Sequence, residues 1–214
     1  MNGIGTFAFK YRGDVIEKKN DCLVHRDIES LLHNQIFASR IKELNDPYEK
    51  EYSVFSVVMS NAAKSFLEMT GEKVSYDKNE DFKIESIGQY CRIYSLALSQ
   101  NSNFPDNELM WVHYANSHKG FCIAYDWNEL CSFFTQRKHV TAINVNYLIN
   151  PPSLFEGSNE ERLIKVLGSK SKMWEYENES RLIFSDVFDC ILSGGLMDYP
   201  VQLVKAVYII VPVI

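Results

Sequence analysis

Three glutamates and an arginine alternate with other residues in Trp174-Glu175-Tyr-Glu177-Asn-Glu179-Ser-Arg181, directly ahead of the apolar run Leu182-Ile-Phe184. If the backbone is extended from Glu177, a period of two puts Glu177, Glu179 and Arg181 on one face at the mouth of a buried strand. Paired carboxylates in such a place can do general acid–base work or oppose positive charge that develops in a transition state. The same spacing also fits a solvated charge cluster, with Glu177 and Arg181 paired at i,i+4 on a helix end.

Other residues of chemical interest are scattered along the chain. They are Lys10-Tyr11-Arg12, Asn45-Asp46-Pro47-Tyr-Glu49, Ser95 and Ser99 in one apolar run, Trp111-x-x-Tyr114, and Gly120-Phe121. Each has an ordinary reading too: Asn-Asp-Pro shapes a turn, and Trp111 and Tyr114 at i,i+3 of a helix suit a core. Zinc is disfavoured, because His113 and His118 are five residues apart, off a common helical face, and no cysteine cluster completes a site. There is no G-x-S-x-G elbow, phosphate loop or glycine-rich dinucleotide fingerprint. Cys22, Cys91, Cys122, Cys131 and Cys190 are odd in number, without C-x-x-C spacing. They predict reduced, buried, inert thiols, with a Cys–His nucleophile pair left open.

The elements that must position these residues follow from the apolar runs. Residues 93–99, 120–125, 182–184 and 201–211 read as neighbouring core strands, and 6–11 as a short opening strand. Residues 140–147 alternate, with Thr141, Ile143, Val145 and Tyr147 on one side. Helices are expected after Asp27 as N-cap, around residues 59–66, from Ile84, and over 108–115. Two more follow Asp126 and Ser158, with Glu129 and Glu161 as capping-box partners. Without repeats, linkers or steady βαβ alternation, the expectation is one α+β domain over residues 1–214. Its core is a short-stranded mixed or antiparallel sheet with flanking helices.

At 214 residues the chain can bury one sizeable core, and a net charge of −6 disfavours broad capture of nucleic acid while leaving a local basic groove open. No apolar segment reaches spanning length, and the polar N-terminus lacks a signal-peptide core. A cytoplasmic protein without membrane or metal partners is expected.

In order and spacing, the chain resembles a family of bacterial domains of unknown function over nearly its whole length. The resemblance rests on Lys10-Tyr11, Asn45-Asp46-Pro47-x-Glu49, Ser99 ending a mid-chain strand, Trp111-x-x-Tyr114, Gly120, and Trp174-x-x-Glu177-x-Glu179-x-Arg181. More distantly it resembles mono-ADP-ribosyltransferases. These open with a strand bearing His or Arg, carry Ser or Tyr on a central strand, and place a catalytic Glu, often Glu-x-Glu, at the start of a later strand. Tyr11 and Arg12, Ser95 to Ser99, and Glu177-Asn-Glu179 stand in that order. The departures are the missing opening histidine and a Ser-x-x-x-Ser looser than the Ser-Thr-Ser of the arginine-modifying enzymes.

The second resemblance implies an ADP-ribosyltransferase-like fold with NAD as substrate. Glu179 would hydrogen-bond the ribose 2′-OH and oppose oxocarbenium charge, and Glu177 would orient or deprotonate the acceptor. Lys10 or Arg12 would pair with the pyrophosphate, and Tyr11, Trp111 or Tyr114 would stack on nicotinamide or adenine, Tyr11 counting also with the catalytic set. Asn45, Ser95, Ser99 and Arg181 complete the NAD-binding residues. It also implies a bacterial toxin or anti-phage effector, held by an antitoxin or other protein partner and modifying a nucleic-acid or protein acceptor. Two other readings stay open from the residues: a non-catalytic recognition module, and a metal-independent nuclease or other hydrolase with Glu179 as base.

Overall fold

Alternating side chains divide the sheet of this protein into two buried faces. In the computed structural model the residues described are 6–19, 21–44, 91–100, 102–137, 140–150, 152, 159–185 and 193–210. The strands are β1 (Phe7–Arg12), β2 (Ile16–Lys19), β3 (Cys22–His25), β4 (Gln35–Phe37), β5 (Ser39–Arg40), β6 (Cys91–Ser99), β7 (Phe121–Asp126), β8 (Val140–Asn144), β9 (Asn146–Leu148), β10 (Ser169–Ser171), β11 (Glu179–Ser185), β12 (Leu196–Asp198) and β13 (Val204–Ile209). The helices are α1 (Arg26–Leu32), α2 (Glu108–Tyr114), α3 (Trp127–Thr135) and α4 (Asn159–Leu167), with a 3₁₀ turn over Lys172–Glu177. The expected helices near residues 59–66 and 84–87 lie outside the described residues, as do Asn45-Asp46-Pro47-x-Glu49, Ser158 and Cys190.

Among the described residues the main sheet has seven strands in the order β13-β7-β1-β6-β11-β8, with β5 also on β6, and every pairing between them is antiparallel. The architecture is α+β. The four expected core strands are all in this sheet, with β1 inserted between β7 and β6. Val201–Leu203, however, is a 3₁₀ turn ahead of β13. Ala8, Ile123, Tyr125, Tyr94, Leu96, Leu182 and Phe184 pack on one face with Leu130 and Phe134 of α3. Phe9, Tyr11, Cys122 and Ala124 pack on the other with Met110 and Trp111 of α2. Each such large apolar side chain contributes about 1.5–3 kcal/mol by leaving water.

The caps follow local chemistry. Asp126 accepts from the Glu129 N–H at 3.0 Å at the start of α3. At α2 the cap is Asn107, whose side chain also donates to the Tyr176 carbonyl at 2.7 Å and ties the helix to the 3₁₀ turn. Asp27 is not a cap. His25 holds that position, and Asp27 is buried inside the first turn, where Arg12, Arg26 and the Val15 N–H engage it in place of the helix's own amides. The alternation over 140–147 breaks at Val145, whose N–H donates to the Glu179 carbonyl before β9 leaves to pair with β10. Of the described cysteines, all free, Cys91 and Cys122 are buried, Cys131 is half-buried, and Cys22, in the β2–β3 hairpin, is exposed.

One irregularity creates the site. β1 pairs with β7 along all six of its residues but with β6 only over Phe7–Phe9. Further along the same edge of β6, β5 pairs with Arg92 and Ile93. Ser95 lies between these two short ladders, and its carbonyl accepts from Lys10 Nζ at 2.7 Å. A side chain thus does what backbone does elsewhere in the sheet.

Candidate functional site

A cavity of about 540 Å³ occupies the gap where β1 parts from β6, within the roughly 300–1,000 Å³ usual for small-molecule sites. Lys10, Tyr11 and Arg12 line it from β1, Ser95 from β6, Tyr114 and His113 from α2, and Arg26 and Asp27 from α1. Lys170, Glu177, Glu179 and Arg181 close it from the remaining side.

The carboxylates do not meet by strand alternation. Glu177 ends the 3₁₀ turn, Asn178 is left-handed at φ 43°, and β11 begins only at Glu179. What brings the two together is Lys170 of β10, whose Nζ donates to Glu177 Oε2 at 2.6 Å and Glu179 Oε2 at 3.1 Å. Arg181 completes the chain of charge, donating from Nε to Glu179 Oε1 at 2.8 Å and from Nη2 to Oε2 at 3.2 Å. Arg181 therefore pairs with Glu179 rather than with Glu177 at i,i+4. Tyr114 donates its hydroxyl proton to Glu177 Oε1 at 2.5 Å. The Glu179 N–H donates to the Tyr147 hydroxyl at 2.6 Å, which fixes the start of β11.

All four charged groups are buried, yet the two carboxylates titrate in opposite directions. Burial opposes the charge of Glu179, but Arg181 and Lys170, with hydrogen bonds from Arg181 and Ser95, outweigh it and hold the carboxyl well below its usual range. Burial wins at Glu177, despite Lys170 and Tyr114, and raises its pKa. Tyr11 and Tyr114 are both raised by burial, Tyr114 also by the charge of Glu177. Lys10 is brought down to about 7 by burial and then by Arg12, against the pull of Glu179, Asp27 and Glu177.

Of the residues singled out from sequence, Lys10, Tyr11, Arg12, Ser95, Tyr114, Glu177, Glu179 and Arg181 all line the one cavity. Trp111 and Ser99 do not. Trp111 is 2 % exposed, packs edge-on to Tyr11 at 5.3 Å and donates Nε1–H to the Pro105 carbonyl, so it supports the wall from behind. Ser99 spends its hydroxyl accepting from the Ser102 N–H. Asn45 lies outside the described residues. Gly120 serves packing: a Cβ there would meet the Arg12 carbonyl oxygen at 2.0 Å, so only glycine lets the turn after α2 close onto the end of β1. Lys170, Arg26 and Asp27 went unread as site residues. The one available signal was the need of two adjacent glutamates for a buried cation, and nothing in Gly168-Ser-Lys170-Ser marks where it comes from. Among the described residues no three His, Cys, Asp or Glu side chains are placed to hold a metal ion, and no helix is long and apolar enough to cross a membrane.

Residues 110–182 match the model of a family described as a protein of unknown function, DUF2971. That span carries Tyr114, Lys170, Glu177, Glu179 and Arg181, whereas the β1 and α1 walls lie outside it. No curated protein and no solved structure matches the chain.

Proposed function

We propose that this protein is an NAD-consuming mono-ADP-ribosyltransferase whose chemistry is done by Glu179 and Glu177. The observation that carries this is the divergence of two carboxylates on one lysine, facing a cavity that also holds Tyr11 and Tyr114. Neighbouring titratable groups pushed apart in this way divide acid–base labour. Glu179, kept anionic, opposes the oxocarbenium charge that develops as the nicotinamide–ribose bond breaks. Glu177, which holds a proton more readily, takes one from the acceptor. Arg12 and Arg26 are the cations for the pyrophosphate, and Lys10, engaged with Ser95, is the weaker partner.

The supporting experiment is nicotinamide release by wild type, Glu179→Gln and Glu177→Gln, with NAD binding measured alongside. Loss of a preorganised electrostatic partner typically costs on the order of 10²–10³ in rate, so Glu179→Gln is expected to fall by that much with NAD affinity little changed. Glu177→Gln is expected to impair transfer more than bare hydrolysis. Growth arrest on expression, relieved by Glu179→Gln, is the expected sign of a toxin or defence effector. Equal turnover of wild type and Glu179→Gln refutes the mechanism. The competing reading, a recognition module, draws on the mutual neutralisation of Glu177, Lys170, Glu179 and Arg181. It predicts NAD or another ligand bound without turnover.

A further inference from the structure

The cavity contains a group that ribosyl transfer does not require, the amine of Lys10. We propose that Lys10 is a covalent site that forms an imine with the open-chain aldehyde of a phosphorylated sugar, the phosphate lying on Arg12 and Arg26. This does not depend on the NAD reading.

The geometry supports it from several sides. Lys10 is half-buried in the cavity wall, oriented by one acceptor, the Ser95 carbonyl at 2.7 Å, and lies over the Tyr94 ring at 4.8 Å. No carboxylate among the described residues is within ion-pair distance of it, although Glu177, Glu179 and Asp27 face the same space. An amine in a desolvated setting beside another cation, here Arg12, is the kind that reacts with carbonyl compounds. Burial and Arg12 leave much of it neutral near pH 7. The guanidiniums of Arg12 and Arg26 share Asp27 at 3.7 and 3.6 Å. Arg26 also donates from Nη1 to Glu17 Oε1 at 3.2 Å, and with five donors on each guanidinium several remain for a phosphate.

The step balances without an oxidant or reductant. The nitrogen lone pair adds to the aldehyde carbon as the carbonyl π bond opens, and its oxygen takes one of the amine's two protons, the other following when water leaves. The carbinolamine then loses that oxygen with a second proton as water, leaving the carbon–nitrogen double bond. Glu177, in the same cavity wall, carries the proton to the departing hydroxyl.

The test is reductive trapping of the wild-type protein with cyanoborohydride near pH 7.5, using ribose 5-phosphate and ribose as separate probes. Adducts are mapped by peptide mass spectrometry, and each rate is normalised to that of N-acetyl-lysine with the same sugar. At that pH an amine of pKa near 7 is about three-quarters neutral and an ordinary lysine roughly one part in a thousand. Allowing for the weaker base being the weaker nucleophile, Lys10 is expected to label at least about tenfold faster than any surface lysine. The normalised rate with ribose 5-phosphate is expected to exceed that with ribose by about tenfold, the worth of one charge-assisted hydrogen bond. Arg26→Ala is expected to lower the ratio of the two normalised rates, because Arg12 alone is then left to hold the phosphate. Adducts spread over surface lysines, or none on Lys10, overturn the proposal, and equal normalised rates overturn the phosphate assignment. Lys10→Gln is expected to lose the adduct, and if that variant does not fold the wild-type map still decides.

Discussion

Lys170 is the keystone of the buried charges, and its removal makes a prediction with a worked size and a sign in pH. Its Nζ is 2.6 Å from Glu177 and 3.1 Å from Glu179, with side-chain exposures of 6 %, 3 % and 6 %. Lys170→Met leaves two buried carboxylates side by side, with Arg181 and Ser95 left to serve Glu179 and Tyr114 to serve Glu177. Breaking a buried pair by deleting one partner costs about 3–5 kcal/mol, and each kcal/mol moves the Tm of a chain this size by roughly 2–4 °C. A loss of about 6–20 °C near pH 7 is therefore expected by differential scanning calorimetry. Glu177 sets the pH dependence. Its folded pKa is already raised by burial, ahead of the opposing pull of Lys170, and losing Lys170 raises it further. An acid raised on folding contributes fully below its unfolded pKa of about 4.3 and loses that contribution as pH rises through the folded value. The gap between wild type and variant should therefore narrow as pH falls from about 8 to about 5. Adding Glu177→Gln to Lys170→Met should recover much of the loss, a coupling that independent sites do not show. A gap constant with pH, together with additive double-variant stabilities, refutes the reasoning.

The remaining expectations concern the walls of the cavity. Gly120→Ala drives a Cβ to 2.0 Å from a backbone oxygen of Arg12, and should cost about 3 kcal/mol or more in urea unfolding, the upper end of overpacking penalties. Tyr114→Phe keeps the ring but deletes the donor to Glu177 Oε1. It should move the Glu177 carboxyl further up in carbon-detected titration, and an unmoved carboxyl would mean the hydroxyl does not serve it. Lys10 sits at about 7 through burial and then Arg12, so the unfolded chain binds more protons between there and the ordinary value of about 10.4. Its contribution to stability accordingly rises with pH across that window. Lys10→Gln should flatten the rise in urea unfolding between about pH 7 and about pH 9.5.

Much of the sheet was legible because its side chains obey a period of two against two separate cores, the condition under which alternation reports burial. Ser95 could be marked as a polar group in an otherwise apolar run, and Glu179 and Tyr11 by the charged residues beside them. The path of Glu177 was not legible, because a 3₁₀ turn and a left-handed Asn178 deliver it to nearly the place an extended strand would. Asp27 reads as a helix cap by residue type, and Arg12, Arg26 and the Val15 N–H together divert it. Lys170 was hidden for the same kind of reason. Its partners are seven and nine residues away along an irregular path, where no periodicity carries information. The resemblance to mono-ADP-ribosyltransferases implies a ligand contact for Trp111, and an aromatic pair at i,i+3 does not reveal that Tyr114 alone faces the cavity.

The parting of β1 from β6 has a mechanical side. Across this seam three residue pairs, Phe7–Phe9 with their partners, hold β13, β7 and β1 to the block formed by β6, β11 and β8, whereas β11 meets β6 over seven pairs. The same seam is crossed by the Lys10–Ser95 contact and by the buried Tyr94–Tyr125 hydroxyl pair. A molecule that draws the ammonium or amine away from that carbonyl loosens the joint between the two blocks as it binds. Occupancy of the cavity and part of the seam's fastening thereby compete for the Lys10 nitrogen.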